Sequence, residues 1–231
     1  MIEALPDAVE VARGNRAFLG RVVGWCLDAG IRQFLDLGSG VPTVGNVHEI
    51  AHARDAGARV AYVDFEPVAV AHATEILADV ATATITRADL REPETVLSAP
   101  GVTELLDFSQ PVVLLAVSVL HFVYEPWDLP AILRRYVEPL APGSAVALTH
   151  ASEDHDDLVL AERMHHAIAS YGPSATPGIS RSRAELRELL GGLDGFELVE
   201  PGVVDSIDWP VPQTQHRGAG FYGAIAHHRP A

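Results

Sequence analysis

The chain has 231 residues and one cysteine, and its 16 basic and 31 acidic side chains give a formal net charge of −15. This length suits one α/β domain, so we expect a single domain over residues 1–231. The negative charge repels phosphate backbones and anionic headgroups, which argues against nucleic-acid and membrane-surface partners. Cys26 alone excludes an intramolecular disulfide and a cysteine-based zinc site. Short apolar runs and the lack of a secretory signal pattern predict a cytoplasmic protein without membrane spans.

Residues 1–30 form a lead-in segment, in which apolar residues at helical spacing predict a helix over 14–29. Beyond it, β-branched and leucine-rich runs alternate with segments of helical period, and these runs lack the polar alternation of half-exposed strands. The predicted strands are 31–37, 59–64, 83–86, 112–117, 145–149, 196–200 and 221–226. The predicted helices are 44–56, 67–80, 129–140, 156–171 and 181–190, with Pro67 and Ser180 as helix starts.

No helical period separates the last two predicted strands, whose connection contains proline and tryptophan. We therefore expect an α/β fold with a Rossmann-like, doubly wound, mostly parallel seven-stranded sheet. The sheet should end in a C-terminal antiparallel strand hairpin.

The turn after the first predicted strand reads Gly38-Ser39-Gly40 and lies where open α/β sheets bind ligands. Glycines there permit positive φ and let backbone N–H groups approach a ligand. Pro42 and Thr43 depart from the dinucleotide fingerprint G-x-G-x-x-G, which counts against a pyrophosphate loop. Asp36, just before the turn, suits a ligand ammonium group better than a pyrophosphate.

Acidic residues also lie at the end of the second predicted strand and just after the third. Asp64 stands where an acidic side chain accepts hydrogen bonds from ribose hydroxyls. Asp89 can accept from an adenine amino group while the adjacent backbone N–H meets a ring nitrogen. With Asp36, these residues predict an S-adenosylmethionine pocket, for which the candidate residues are Asp36, Gly38, Ser39, Gly40, Asn46, Asp64, Phe65, Asp89, Leu90 and Ser118.

Several stretches resemble one known family in the same order along the chain. They are "IRQFLDLGSGVPTVGNVHE" (31–49), "ARVAYVDFEPVAVAHA" (58–73), "ADLREPETVL" (88–97), "LLDFSQPVVLLAVSVLHFV" (105–123), "LTHAS" (148–152) and "GFELVEPGVV" (195–204). The sequence is similar to class I S-adenosylmethionine-dependent methyltransferases, within a bacterial group first catalogued as a domain of unknown function. The similarity begins at about Gly14, and it implies S-adenosylmethionine as methyl donor and S-adenosylhomocysteine as product.

Members of that group begin with a longer N-terminal segment than this sequence has before residues 12–23. If that segment covers the pocket, this chain has a more open site, takes a lid from a second subunit as in a homodimer, or has lost turnover. A non-catalytic S-adenosylmethionine-binding protein is therefore one alternative, and an NAD-linked oxidoreductase is another.

Methyl transfer is an in-line displacement, which needs a base only when the acceptor starts protonated. His121 and His150, at the ends of the fourth and fifth predicted strands, are the candidates for a base or an acceptor-orienting group. A purely structural role for each histidine is the alternative. We expect a small-molecule acceptor and no metal, because no H-E-x-x-H pattern is present.

Four further residues are candidates for the methionine end of the pocket. His48 and Glu49 lie in the first turns of the helix predicted after the glycine turn. Asn15 and Arg16 lie on the lead-in helix and are candidates to reach the cofactor carboxylate. A position on an exposed helix surface is the alternative for all four.

Overall fold

The structure, a computed structural model, describes residues 8–41, 45–170, 177–211, 218 and 220–229, with side chains from residue 11 onward. Its helices are α1 (Ala8–Asp28), α2 (Val47–His52), α3 (Pro67–Ile76), α4 (Pro93–Leu97), α5 (Pro100–Thr103), α6 (Leu129–Val137), α7 (Leu158–Ser170) and α8 (Arg183–Gly191). Its strands are β1 (Gln33–Leu37), β2 (Arg59–Asp64), β3 (Ala83–Arg87), β4 (Val113–Val117), β5 (Ala145–Ala151), β6 (Phe196–Leu198), β7 (Val204–Asp205) and β8 (Phe221–His228).

The strands form one mixed sheet in the order β3-β2-β1-β4-β5-β8-β6. Strands β1 to β5 are parallel, and β8 runs antiparallel to β5 and β6. The strand order reverses direction between β1 and β4, which is the switch point where such sheets bind ligands. The predicted Rossmann-like sheet and its C-terminal antiparallel pair are confirmed, and the two-residue strand β7 adds an eighth strand along β8.

Helices cover both faces of the sheet, so most strand residues are buried. On one face, α1 and α2 pack against alternate strand residues such as Phe34 and Leu115. The other face of the sheet carries the remaining alternate strand residues, such as Leu35 and Leu114. These pack against α4, α5, α6 and α8. Burial on both faces explains why these strands lack polar alternation in the sequence.

Helix α8 begins two residues later than predicted. Ser182 is its N-cap: the Ser182 hydroxyl accepts from the Glu185 N–H at 3.2 Å, and the Glu185 carboxylate accepts from the Ser182 N–H at 2.7 Å. This reciprocal capping box needs a Ser-x-x-Glu spacing, which Ser180 lacks. The assignment of Ser180 as the helix start was wrong, because its hydroxyl accepts from the Glu153 N–H at 2.8 Å instead. Pro67 is confirmed in the first turn of α3.

In the part of the chain that the structure describes, two short helices and two 3₁₀ turns were not predicted. Helices α4 and α5 have 5 and 4 residues, too few to show a helical period in the sequence. The 3₁₀ turns are Leu120–Phe122, just beyond β4, and Ser206–Asp208. Among the described helices, none is long and apolar enough to cross a membrane.

Candidate functional site

Two cavities lie at the carboxyl ends of the parallel strands and meet at the switch point. The first has a volume of about 250 Å³ and the second about 540 Å³. Gly38, Gly40 and Ser118 line both, so the cavities form one cleft between the turn after β1 and the turn after β4. All ten predicted cofactor residues line one or both cavities.

Both glycines of the first turn have left-handed backbone conformations, with φ +69° at Gly38 and +68° at Gly40. A Cβ added at Gly38 would lie 2.3 Å from a methyl carbon of Val119, so the two turns approach too closely for a side chain. A Cβ added at Gly40 would meet no atom of the described residues within 4 Å, and this glycine lines both cavities. Gly38 therefore packs the two turns together, and Gly40 leaves room for a ligand.

The first cavity lies between α1 and the glycine turn and carries a polar wall. Asn15, Arg16, Asp36, Ser39 and Asn46 contribute to it. The Asn15 side-chain oxygen and the Ser39 hydroxyl are buried with no hydrogen-bond partner among the described residues. Buried polar groups are normally paired, so these two fit a polar ligand that completes their hydrogen bonds.

Asp36 supplies a carboxyl group to this cavity, and the pKa of that group is strongly raised. Its side chain is 8% exposed. Burial raises the pKa of Asp36 to about 7, the nearby Asp64 carboxylate adds to the rise, and Arg16 opposes it. A ligand ammonium group at Asp36 would lower this pKa again and hold the carboxylate in its charged form.

The predicted residues of α1 and α2 take different places around the first cavity. Arg16 donates from Nη1 to the Gly45 carbonyl at 2.6 Å, which ties α1 to the loop before α2. His48 lines the cavity, and its Nδ1 lies 2.8 Å from the Tyr62 hydroxyl. Glu49 does not line it; its carboxylate accepts from the N–H groups of Gly45 and Asn46, each at 2.8 Å. Glu49 thus shapes the loop without facing the cleft.

Asp64 lies at the end of β2, where the second cavity begins. Its two carboxylate oxygens accept from the Gly40 N–H at 2.7 Å and from the Glu66 N–H at 2.9 Å. The side chain is 7% exposed. Asp64 therefore fixes the glycine turn against β2 and presents a buried acceptor to the cleft.

Asp89 and Leu90 form the outer wall of the second cavity in the loop after β3. Burial alone would raise the pKa of Asp89, but hydrogen bonds from Arg91 outweigh it and hold that pKa below its usual value. The Tyr136 hydroxyl of α6 donates to the Leu90 carbonyl at 2.9 Å. Phe65 projects over the cavity rim with 48% of its surface exposed.

Ser118 has φ +58°, the one left-handed non-glycine conformation among the described residues. Its N–H donates to the Thr149 hydroxyl at 2.9 Å, which holds this conformation in place. Strained backbone held by its surroundings occurs often at functional sites. Ser118 lies where the two cavities meet, so a ligand that spans both would pass over it.

The structure places both predicted catalytic histidines behind the cleft rather than in it. His121 is 5% exposed and packs on Phe122, with the ring centroids 4.2 Å apart. Phe122 lines the second cavity, whereas neither His121 nor His150 lines either cavity. The catalytic role of the two histidines stays a prediction. Neither side chain lines the cleft in this structure.

His150 belongs to a buried network with Arg181. The Arg181 Nη1 donates to the His150 Nε2 at 2.7 Å, so the His150 Nδ1 carries the proton and donates to the Ala151 carbonyl at 2.7 Å. Burial lowers the pKa of His150 to about 3 and that of His121 to about 4. Both imidazoles are therefore neutral at pH 7.

Two further predictions concern the loop after Gly40 and metal binding. Pro42 and Thr43, which argued against a pyrophosphate loop, lie outside the described residues. Within the described ranges, no group of three or more His, Cys, Asp or Glu side chains could hold a metal ion.

A family model described as S-adenosyl methyltransferase matches residues 1–229. The chain belongs to this family. It is an S-adenosylmethionine-dependent methyltransferase, and the polar, two-lobed cleft with unpaired buried acceptors fits that cofactor. Among curated proteins, none matches the chain.

Solved structures of two related proteins resemble this methyltransferase along its whole length. A DUF574 family protein from Streptomyces avermitilis MA-4680 is 33% identical with a TM-score of 0.86, over 100% of this chain and 88% of that one. A proposed methyltransferase from Thermobifida fusca YX is also 33% identical with a TM-score of 0.87, over 99% of this chain and 85% of that one.

More distant structures share the fold. Human N-acetylserotonin methyltransferase, solved in complex with S-adenosylmethionine, is 17% identical with a TM-score of 0.53, over 92% of this chain and 52% of that one. The N-methyltransferase NodS from Bradyrhizobium japonicum WM9 is 13% identical with a TM-score of 0.57, over 96% of this chain and 99% of that one.

Sequence reasoning missed side chains that line the cleft. Among them are Tyr62 in the first cavity and Arg91 in the second, where Arg91 packs on Trp127. The Asp-x-Arg spacing of residues 89 to 91 was a usable signal, because an arginine two residues from an aspartate can pair with it. Tyr62 lies within an apolar strand, where nothing in the sequence marks a side chain that reaches a cavity.

Proposed function

We propose that the cleft binds S-adenosylmethionine across both cavities and passes its methyl group in line to a small-molecule acceptor. The observation that carries this proposal is the order of Asp36, Asp64 and Asp89. These three acidic side chains lie at or just beyond the carboxyl ends of three adjacent strands and line one continuous cleft. The spacing suits the ammonium group, the ribose and the adenine of one extended ligand.

In this proposal the amino-acid end of the cofactor occupies the first cavity. Asp36 and the unpaired oxygen of Asn15 are acceptors, which suits the three N–H donors of an ammonium group. Arg16 lines the same cavity and carries the positive charge that a carboxylate needs. Ser39 and Asn46 supply further polar groups at the glycine turn.

The nucleoside occupies the second cavity. Asp64 accepts from the ribose hydroxyls, and Phe65 covers the sugar and base from the rim. Asp89 accepts from the adenine amino group, while the Leu90 N–H donates to a ring nitrogen. Asp64 and Leu90 are already held by hydrogen bonds to Gly40 and Tyr136, so they lose little freedom when a ligand binds.

The cofactor supplies a methyl group made electrophilic by its sulfonium. The chain's task is to hold the acceptor atom in line with that methyl group and to exclude water. Ser118 and the glycine turn lie where the two cavities meet, so they surround the reacting centre. His121 and His150 stay candidates for a base, and each histidine-to-alanine variant should then lose methyl transfer with unchanged cofactor affinity.

The proposed acceptor is a neutral or cationic small molecule. A formal charge of −15 disfavours anionic acceptors and supports the expectation that no nucleic acid binds. A homodimer and a cytoplasmic location stay predictions from the sequence.

Calorimetric titration with S-adenosylmethionine, S-adenosylhomocysteine and NAD tests the cofactor part of this proposal. We expect one molecule of either adenosyl ligand to bind per chain and NAD to bind no more than weakly. Binding of NAD in preference to both adenosyl ligands, or binding of none of the three, would contradict it.

A further inference from the structure

Arg91 lines the second cavity and contacts residues of two loops. Its Nε lies 2.9 Å from each carboxylate oxygen of Asp89, and its Nη2 donates to Oδ2 at 2.5 Å. The guanidinium carbon also lies 4.8 Å from the ring centroid of Trp127. Arg91 therefore connects the loop after β3 with the loop that precedes α6.

These contacts leave Asp89 with little spare acceptor capacity. Besides the Nε–H and one Nη2–H of Arg91, the Arg91 backbone N–H donates to Oδ1 at 2.9 Å. These three N–H groups make four contacts, because the Nε–H is shared between both oxygens. A carboxylate offers about four lone-pair sites, so with the shared N–H counted once, about one further hydrogen bond can be accepted. The same contacts hold the carboxylate in one orientation.

We propose that Arg91 is a positioning residue that makes the second cavity selective for a 6-aminopurine over a 6-oxopurine. This inference rests on the proposed function, in which Asp89 accepts a hydrogen bond from the base. A 6-amino group donates to the remaining acceptor site, whereas a 6-oxo group turns an oxygen toward a negative carboxylate. Because Arg91 fixes that carboxylate, Asp89 cannot rotate away to relieve the mismatch.

Trp127 supports this arrangement from the other side. A guanidinium over an indole ring is attracted to it and restricted in its motion. The ring is 39% exposed and lines neither cavity, and its contact is with the guanidinium group of Arg91. Trp127 therefore limits the positions that Arg91 can take, and through Arg91 those of Asp89.

The test compares S-adenosylhomocysteine with S-inosylhomocysteine, its 6-oxo counterpart, by calorimetry on the full chain. We expect the wild type to prefer the adenosyl ligand on the order of 100-fold, the size of one lost charged hydrogen bond. Arg91→Met should weaken adenosyl binding about 10-fold and leave inosyl binding equal or stronger, so the preference shrinks. Trp127→Leu should shift the preference in the same direction by a smaller factor.

Arg187→Met is the matched control. Arg187 is an exposed residue of α8, and its side chain lines neither cavity. Its loss should leave the preference unchanged. Arg91→Lys, which keeps the charge without the planar fork, should shrink the preference as Arg91→Met does.

Two results would overturn the inference. One is that both Arg91 variants prefer the adenosyl ligand over the inosyl ligand by the same factor as the wild type. The other is a loss of inosyl binding larger than the loss of adenosyl binding, since Arg91 would then donate to the 6-oxo group itself. A wild type that does not bind S-adenosylhomocysteine would refute the proposed function instead, so the two failures are distinguishable.

Discussion

Asp36 shows how one buried carboxyl group couples ligand binding to pH. Because its pKa is raised to about 7, the free protein holds a proton there in mildly acidic solution. A ligand ammonium group needs the charged carboxylate. We therefore expect the affinity for S-adenosylhomocysteine, measured by calorimetry, to fall as pH drops from 8 to 6. Asp36→Asn should bind more weakly at pH 8, with much less pH dependence; a wild-type profile in this variant would contradict the assignment.

The same raised pKa makes Asp36 a cost to folding at neutral pH. The native state keeps this proton at pH values where the unfolded chain has lost it. Below about pH 4 the carboxyl group is protonated in both states, so this cost is absent. The free energy of unfolding then decreases as the pH rises from about 4 toward 7. Asp36→Asn should raise the free energy of unfolding at pH 8 by up to about 4 kcal/mol, as measured by urea denaturation.

Asp64 is the side chain on which the nucleoside assignment depends most. If it accepts from both ribose hydroxyls, Asp64→Ala should reduce the affinity for S-adenosylhomocysteine about 100-fold or more. Circular dichroism should show a folded chain. Asp79→Ala, which removes an exposed carboxylate beyond α3, is the control and should bind as the wild type does. Unchanged affinity in Asp64→Ala would contradict the assignment of the ribose hydroxyls to Asp64.

At the scale of elements, Arg181 connects three parts of the chain. It lies just before α8 and donates to the carbonyls of Leu120 at 3.1 Å and Val123 at 2.8 Å, as well as to His150 of β5. The turn after β4, which carries Ser118 and lines the cleft, is thereby tied to the neighbouring strand. The side chain that orders this turn comes from a segment more than fifty residues away in sequence.

Replacing Arg181 should therefore affect both stability and binding. Arg181→Met leaves buried carbonyls and the His150 Nε2 without their donor, so we expect a loss of about 2–4 kcal/mol in the free energy of unfolding. Cofactor affinity should fall with it, because the turn loses its support. Arg134→Met removes an exposed arginine of α6 and serves as the control. Equal melting temperatures for both variants would show that the network contributes little.

The elements that the sequence predicted are those with a long or clear pattern. Continuous apolar runs revealed β1, β2, β4 and β5 because burial on both faces leaves no polar alternation, whereas the edge strand β3 is only partly buried. Helices α4 and α5 were missed because they are too short for a period. Ser180 and Ser182 both resemble caps locally, and only the glutamate three residues later distinguishes the true one.

At the scale of the whole molecule, the shared location of the proposed cofactor residues was predictable because parallel strands bring their carboxyl ends to one edge. The position of Asp36, Asp64 and Asp89 along the chain therefore placed them in one cleft. His121 and His150 follow the same rule of position, yet both face the interior. Helices cover both faces of the sheet, so the sequence pattern does not distinguish the face that lines the cleft. Sequence position alone therefore could not show which way the two histidine side chains point. The assignment of residues 1–231 to one domain stays a prediction.

A crystal structure of the chain with S-adenosylhomocysteine tests the central claim most directly. We predict the amino-acid end in the first cavity beside Asp36 and Asn15, the ribose hydroxyls at Asp64, and the adenine amino group at Asp89. A ligand in the reverse orientation, or one bound away from the glycine turn, would contradict the account.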